Sequence, residues 1–418
     1  MIETQLYIFS IIIILFIIIL IFQKQNYKQF HWIFIAFMFM YNVFPALNFI
    51  GIKPSFVRIN MDLTYNAELL KLQLIISYLS ILFYGILLLI YHNKIELDKF
   101  TLQKRSLFIN VTYIYVLLFP IALFFVIYFP WPEHGGIITF GNSLAAYFKN
   151  IELVLLIMIF IYHPKKYNTL FLFSYIILIM IDTQRTPLLV AFIAYLILSD
   201  SKKAIKYTFF GIFGIFILSI IAIYRNDVDI SFINMLYPFY NEGIFGSYCV
   251  LQSLEIVQHY DYSIFTSLML LISPINDIIV KLIPSIYFHL FDLDKNSFYL
   301  FGSFIGESIK SGILTEPWTP MGGFFYPAES NLMIPYVGPI LFTGLIFFIT
   351  RKITLMKNPV LKVLLYSNLF LYIKANIFIA TKYIIFLLIA YYSIVIMDKF
   401  FRLFFAQYLK RKASENTN

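Results

Sequence analysis

The chain is poor in charge and almost without cysteine. Asp, Glu, Lys and Arg make up 13% of its 418 residues, against 61% hydrophobic residues. A soluble domain of this length cannot hide that much apolar surface. The single cysteine, Cys249, excludes an intrachain disulfide. Signatures of several chemistries are missing as well. There is no Walker A loop, no H-E-x-x-H, no Gly-x-Ser-x-Gly and no G-x-G-x-x-G after a strand. No soluble cytoplasmic domain is present to use ATP or a sugar nucleotide. The net charge of +9 lies in short loops between apolar segments, so it is not a nucleic-acid footprint, and no nucleic-acid partner is expected.

What the sequence does contain is a series of apolar runs matched to a bilayer core. They predict an all-α polytopic membrane protein with about 11 transmembrane helices, read as a single domain over 1–418. The helices fall at roughly 5–22, 31–50, 69–91, 107–129, 144–162, 168–182, 186–199, 205–223, 336–350, 360–375 and 379–397. The first run lacks a basic leader and is followed by Gln23, Lys24, Gln25 and Asn26, so it reads as a retained helix and not a signal peptide. The excess of Ile, Phe, Tyr, Asn and Lys is what AT-rich coding produces, so the aromatic content is not itself a functional signal.

Lysines and arginines set the expected orientation. Lys24 and Lys28, the cluster from Lys94 to Arg105, Lys165 and Lys166, and Lys202 to Lys206 fall in alternate connections. Arg351 to Lys362 and Lys399 to Lys412 continue the alternation. These connections are expected in the cytoplasm, which puts the N-terminus outside and the C-terminus inside.

One long stretch, 224–335, is expected outside as a large external loop. It holds half of the 22 acidic residues and only four fixed cations, Arg225, Lys281, Lys295 and Lys310. Within it, 264–291 is apolar but interrupted by Pro274, Asp277, Lys281 and Pro284. Asp277 and Lys281 are four apart and would share a helix face. The segment is expected to be re-entrant or interfacial, with two extra short spans as the alternative.

Several residues carry candidate chemistry, each beside a plainer reading. Arg185 opens a helix at an outer turn with only Asp182 nearby. It either meets an anion, for which its planar fork suits phosphate, or snorkels and pairs with Asp182. Arg225 is an anion contact or an interfacial anchor. Asp227 with Asp229, and Asp292 with Asp294, form two D-x-D pairs that suit a divalent cation but arise easily in an acidic loop. Tyr237, Tyr240, Asn241 and Glu242 mix aromatic faces with an amide and a carboxylate, as sugar sites do. Glu242 would serve as general base if partly desolvated, and the alternative is a solvated helix start. Gly302 and Gly306 precede Glu307, and Gly322 and Gly323 precede Glu329, which stands just before the next membrane helix. His134 reads as a loop residue. Lys374 and Lys382 flank the last outer turn, where snorkelling is the default.

Three stretches in order resemble the Wzy polymerases of O-antigen and related polysaccharides. The first runs from Thr183 through Arg185 to Phe192, an arginine opening a helix of small and apolar residues. The second, 231–287, carries Phe232, Leu236, Tyr237, Glu242, Leu251, Tyr260, Ile283, Pro284 and Ser285. The third runs from Gly322 through Glu329 to Gly338 and Gly344. The likeness covers the middle and last third, and the first four helices match only in kind.

The resemblance implies a glycosyltransferase C-like membrane fold in the bacterial inner membrane and a role in lipopolysaccharide biosynthesis. The growing glycan would be transferred from undecaprenyl pyrophosphate to the non-reducing end of a new lipid-linked repeat unit. Arg185 and Arg225 would engage the pyrophosphate, with Lys382 and Lys281 adding positive charge nearby. Glu242 or Glu329 would take the proton from the attacking hydroxyl, with Glu307 a third candidate behind them. Tyr237, Tyr240 and Asn241 would line the glycan. No cofactor and no metal is expected, and a chain-length regulator of the Wzz kind is an expected partner. The rival readings are an O-antigen ligase with the same donor, a flippase for the same lipid-linked unit, and a membrane O-acyltransferase. The flippase reading expects charged residues inside spans, and the spans read as nearly free of charge.

Overall fold

The computed structural model describes residues 67–91, 111–130, 140–162, 168–182, 185–198, 237–259, 263–282, 326–374 and 377–415. It also describes the short pieces 219–220 and 223–224 and residue 291. Every regular element among them is a helix. In chain order these are α1 (Ala67–Tyr91), α2 (Val111–Tyr128), α3 (Phe140–Tyr162), α4 (Asn168–Asp182), α5 (Arg185–Leu198) and α6 (Tyr237–His259). They are followed by α7 (Ile264–Leu282), α8 (Tyr326–Met333), α9 (Gly338–Thr354), α10 (Pro359–Ser367), α11 (Leu371–Lys374) and α12 (Ile377–Glu415).

Among the described residues, four helices are long and apolar enough to cross a membrane: Lys71–Tyr91, Val111–Tyr128, Leu144–Tyr162 and Tyr383–Tyr408. The bent pair α8 and α9 makes a fifth if it is counted as one span. The expected helices at 5–22 and 31–50, and most of 205–223, lie outside the described residues. Burial on α1 has a membrane pattern. Ile75, Leu79, Leu82, Ile86 and Leu89 recur at helical spacing and are exposed, while Leu74, Ile81, Tyr84 and Leu88 are buried. An apolar stripe on both sides of one helix suits lipid on the outside and protein on the inside.

The chain divides into two compact units. The first holds α1, α6, α7, α8, α9, α11 and the opening turn of α12. Here α1 and α9 run parallel. Phe83 lies against Gly344, where a Cβ would stand 2.7 Å from the ring. Tyr84 meets Phe347 edge-on at 5.4 Å, and the Arg351 guanidinium lies 4.5 Å from the centre of the Tyr91 ring. The residue numbers rise together along both helices, so their C-terminal ends are neighbours.

In this unit α7 differs from expectation. The helix continues through Pro274 to Leu282. Proline at 274 has no N–H for the Leu270 carbonyl, and the Ser273 hydroxyl donates to that oxygen instead at 2.7 Å. Ser263 caps the start, accepting the Thr266 amide at 3.1 Å. Ile264, Leu268, Leu271, Ile275 and Ile279 are all exposed along α7. That apolar face suits an interfacial or lipid-facing helix better than a solvated loop.

The second unit holds α2 to α5, α10 and the rest of α12. α2 and α3 form an antiparallel hairpin. Phe125 stacks on Phe148 at 5.2 Å, and the Asn142 amide donates to the Phe129 and Pro130 carbonyls at the end of α2. Tyr195 of α5 reaches Phe160 of α3 and Thr169 of α4, so α3 and α5 end where α4 begins. α3 is the central helix, with every residue from Glu152 to Ile161 buried.

Two expected boundaries are corrected. The helix expected at 360–375 is two, since a turn at 368–370 separates α10 from α11. The last helix does not stop near 397 but continues to Glu415. Lysine, arginine, leucine and glutamine are good helix formers, and the backbone does not stop where hydropathy falls.

Candidate functional site

The predicted site residues fall into both units, and several lie outside the described residues. Arg225, Glu307 and His134 do so, as do Asp227, Asp229, Asp292 and Asp294. Arg185 is the first residue of α5, and Asp182 the last of α4. Tyr237, Tyr240, Asn241 and Glu242 form the first two turns of α6. Lys281 is on the last turn of α7, near Asp277 on the same helix. Lys374 ends α11, and Lys382 lies on the second turn of α12. For these residues the backbone position is what is described. Glu329 is described fully, and it is buried on α8 at 4% exposure.

Glu329 belongs to a tightly built elbow in the first unit. α8 and α9 are bent by 118° from one another. The turn passes through Tyr336 in the left-handed region at φ 65°, which is uncommon for a bulky side chain. Asn331 holds it there. Its Oδ1 accepts the Tyr336 amide at 2.8 Å, and its Nδ2 donates to Ser253 Oγ on α6 at 3.0 Å. The Ser253 hydroxyl passes its own proton to the Val250 carbonyl at 2.7 Å. Gly338 closes the elbow, because a Cβ there would run into the Ser330 carbonyl.

The elbow places one candidate base firmly and separates it from the other. Asn331 meets α6 at Ser253, which lies eleven residues past Glu242, roughly 16 Å along the helix. Glu329 and Glu242 therefore sit at different levels of α6. Nearer the elbow, burial pushes the Tyr248 hydroxyl up to about 12, with Glu255 and Cys249 adding to the effect. Tyr248 thus remains a neutral donor at physiological pH.

The second unit holds a cluster that the expected site does not include. Lys149 and Glu152 stand one turn apart on α3, at 1% and 0% exposure. Glu152 lies near the middle of the apolar stretch Leu144–Tyr162. Neither carboxylate oxygen accepts a hydrogen bond. On the neighbouring α2, the Tyr115 hydroxyl is 2.9 Å from Ser174 Oγ on α4. The Tyr175 hydroxyl of α4 donates to the Lys149 carbonyl at 3.4 Å. The expectation that the spans are nearly free of charge is corrected here. The signal was present in the sequence, as two charges within an otherwise apolar run, and averaging over the run concealed it.

No family model, curated protein or solved structure matches this chain. Among the described residues, no three of His, Cys, Asp and Glu gather at one point.

Proposed function

We propose that this chain polymerises lipid-linked polysaccharide repeat units, as an O-antigen polymerase of the inner membrane. The observation that carries the reading is Glu329, a carboxylate buried on α8, the first arm of the bent pair α8 and α9 that counts as a membrane span when taken together. In this reading Glu329 takes the proton from the attacking sugar hydroxyl, whose oxygen forms the new glycosidic bond. The bond to undecaprenyl pyrophosphate breaks, and the pyrophosphate carries away the electron pair. Arg185 stabilises that leaving charge. It opens α5, and a helix start favours an anion while disfavouring an unpaired cation, so a phosphate there satisfies both the guanidinium and the helix dipole. Glu242 is the alternative base. Tyr237, Tyr240 and Asn241 would line the glycan, and Arg225, Lys281, Glu307 and Lys382 complete the proposed set.

The proposed topology has eleven spans, a glycosyltransferase C-like scaffold, the N-terminus in the periplasm and the C-terminus in the cytoplasm. It is supported by the parallel pair α1 and α9, whose adjacent C-terminal ends both lead into basic connections. A chain-length regulator is the proposed partner.

A deletion strain tests the reading on a lipopolysaccharide gel. Loss of a polymerase leaves single repeat units on the core, and returning the gene restores the ladder. Loss of a ligase leaves no attached antigen. In the complemented strain, Arg185→Ala and Glu329→Gln are expected to shorten or abolish the ladder at normal protein level. Full-length ladders from both variants would overturn the assigned roles.

A second reading is favoured by one observation. Lys149 and Glu152, buried within a span, fit a transporter such as the flippase for the same lipid-linked unit. Deletion would then leave no attached units, because none reach the periplasm.

A further inference from the structure

We infer that Glu152 is the acidic centre of an intramembrane binding site for a monovalent cation, either a proton or an alkali ion. The inference holds whichever reading of the protein's function is correct.

Its basis is a contrast within one unit. Several other polar groups in that unit have partners, and the buried atoms that lack one, the Asn150 and Asn168 side-chain oxygens and the Tyr383 hydroxyl, belong to neutral groups. Asn142 donates to two carbonyls at the end of α2. Asn358 caps α10 through the Val360 and Leu361 amides and donates to the Tyr391 hydroxyl at 2.8 Å. Asp398 accepts from Arg402 at 2.9 Å. Glu152 alone among these has both oxygens buried with no hydrogen bond to either. A short side chain near the middle of a span cannot snorkel to water, and α3 is covered on every side at this level. An acid placed there purely for packing would cost several kcal/mol with no return.

The surroundings narrow the occupant. Lys149, one turn away, does not donate to Glu152. The titratable or charged groups on the helices packed against α3 are Tyr113, Tyr115 and Tyr128 on α2, Tyr175 on α4, Tyr195 on α5, and Lys362 and Tyr366 on α10. Asp182 and Arg185 stand at the ends of α4 and α5. Hydroxyl oxygens on the helices packed against α3 include those of Tyr115 and Ser174, 2.9 Å apart, and that of Tyr175, which reaches the α3 backbone at Lys149. Carboxylate and hydroxyl oxygens suit a small hard cation, and a proton needs no additional space.

Carbodiimide labelling of the full chain in lipid nanodiscs tests this. Dicyclohexylcarbodiimide reacts with a protonated carboxyl in an apolar setting. The carboxyl oxygen adds to the central carbon, the proton moves to nitrogen, and an acyl shift gives a stable N-acylurea, read by mass spectrometry of the Glu152 peptide. At low pH in choline chloride, an adduct at Glu152 is expected. If the occupant is a proton, the adduct falls severalfold as pH rises and ignores sodium or potassium. If it is an alkali ion, sodium or potassium chloride suppresses the adduct severalfold at fixed pH. Absence of adduct at low pH, or an adduct indifferent to both pH and salt, overturns the proposal. Glu152→Gln must abolish the adduct. The wild-type arms decide the question even if that variant does not fold.

Discussion

Two buried polar groups, one in each unit, are treated in opposite ways. In the first, Asn331 uses both ends of its amide, one on the Tyr336 backbone and one on Ser253, and the elbow between α8 and α9 depends on it. In the second, Glu152 lies at the centre of an apolar helix with both oxygens unbonded. A buried polar group that is fully engaged is architecture, because removing it leaves its partners stranded. One that is not engaged costs stability in the folded chain, and its retention is explained by a ligand or a charge it must carry.

This contrast can be broken by substitution. The largest expected effect is at the elbow itself. Gly338→Ala drives a methyl into the Ser330 carbonyl, and the backbone must move. A loss of about 3 kcal/mol or more is expected, with little folded protein surviving size-exclusion chromatography in detergent. Next is Asn331→Leu, which strands the Tyr336 amide and removes the tie to α6. It is expected to cost about 2 kcal/mol and to lower the melting temperature clearly. Glu152→Gln should behave differently. It removes a buried charge that has no partner to strand, so the melting temperature is expected to hold or rise. A fall as large as that of Asn331→Leu would show that Glu152 is structural and would erase the contrast. The smallest effect is expected from Arg402→Gln. The Asp398 pair is one turn apart on α12, and the arginine is 44% exposed. About 0.5 kcal/mol is expected, within the scatter of a thermal melt.

The helices themselves were largely readable from hydropathy. α1, α3, α4 and α5 fall within a few residues of their expected limits, because each is a predominantly apolar run between polar breaks. The elbow was not readable. Its left-handed residue is Tyr336, not the nearby Gly338, and its amide is held by Asn331, whose side chain is in turn tied to Ser253 on a helix far away in sequence. Pro274 misled for a related reason. The proline removes a backbone bond in any context, but the replacement from Ser273 depends on a rotamer that a sequence pattern does not contain. Of the proposed site residues, the burial of Glu329 was legible from its position ahead of an expected span. Glu152 and Lys149 were passed over because a long apolar run tolerates two charges without losing its hydrophobic average.

The length of α12 has a mechanical consequence. Its 39 residues extend about 58 Å, nearly twice the ~30 Å depth of a hydrocarbon core. Whatever part of it lies among lipid tails, at least about 25 Å of stiff rod projects past them. Over its outer turns Phe400, Leu403, Phe404 and Tyr408 are exposed on several sides. A rod of that length amplifies rotation. A tilt of a few degrees at the span becomes a displacement of a few ångströms at the far end. A spin label or fluorophore near Tyr408 would therefore report tilting of α12 with greater sensitivity than any probe placed within the bundle.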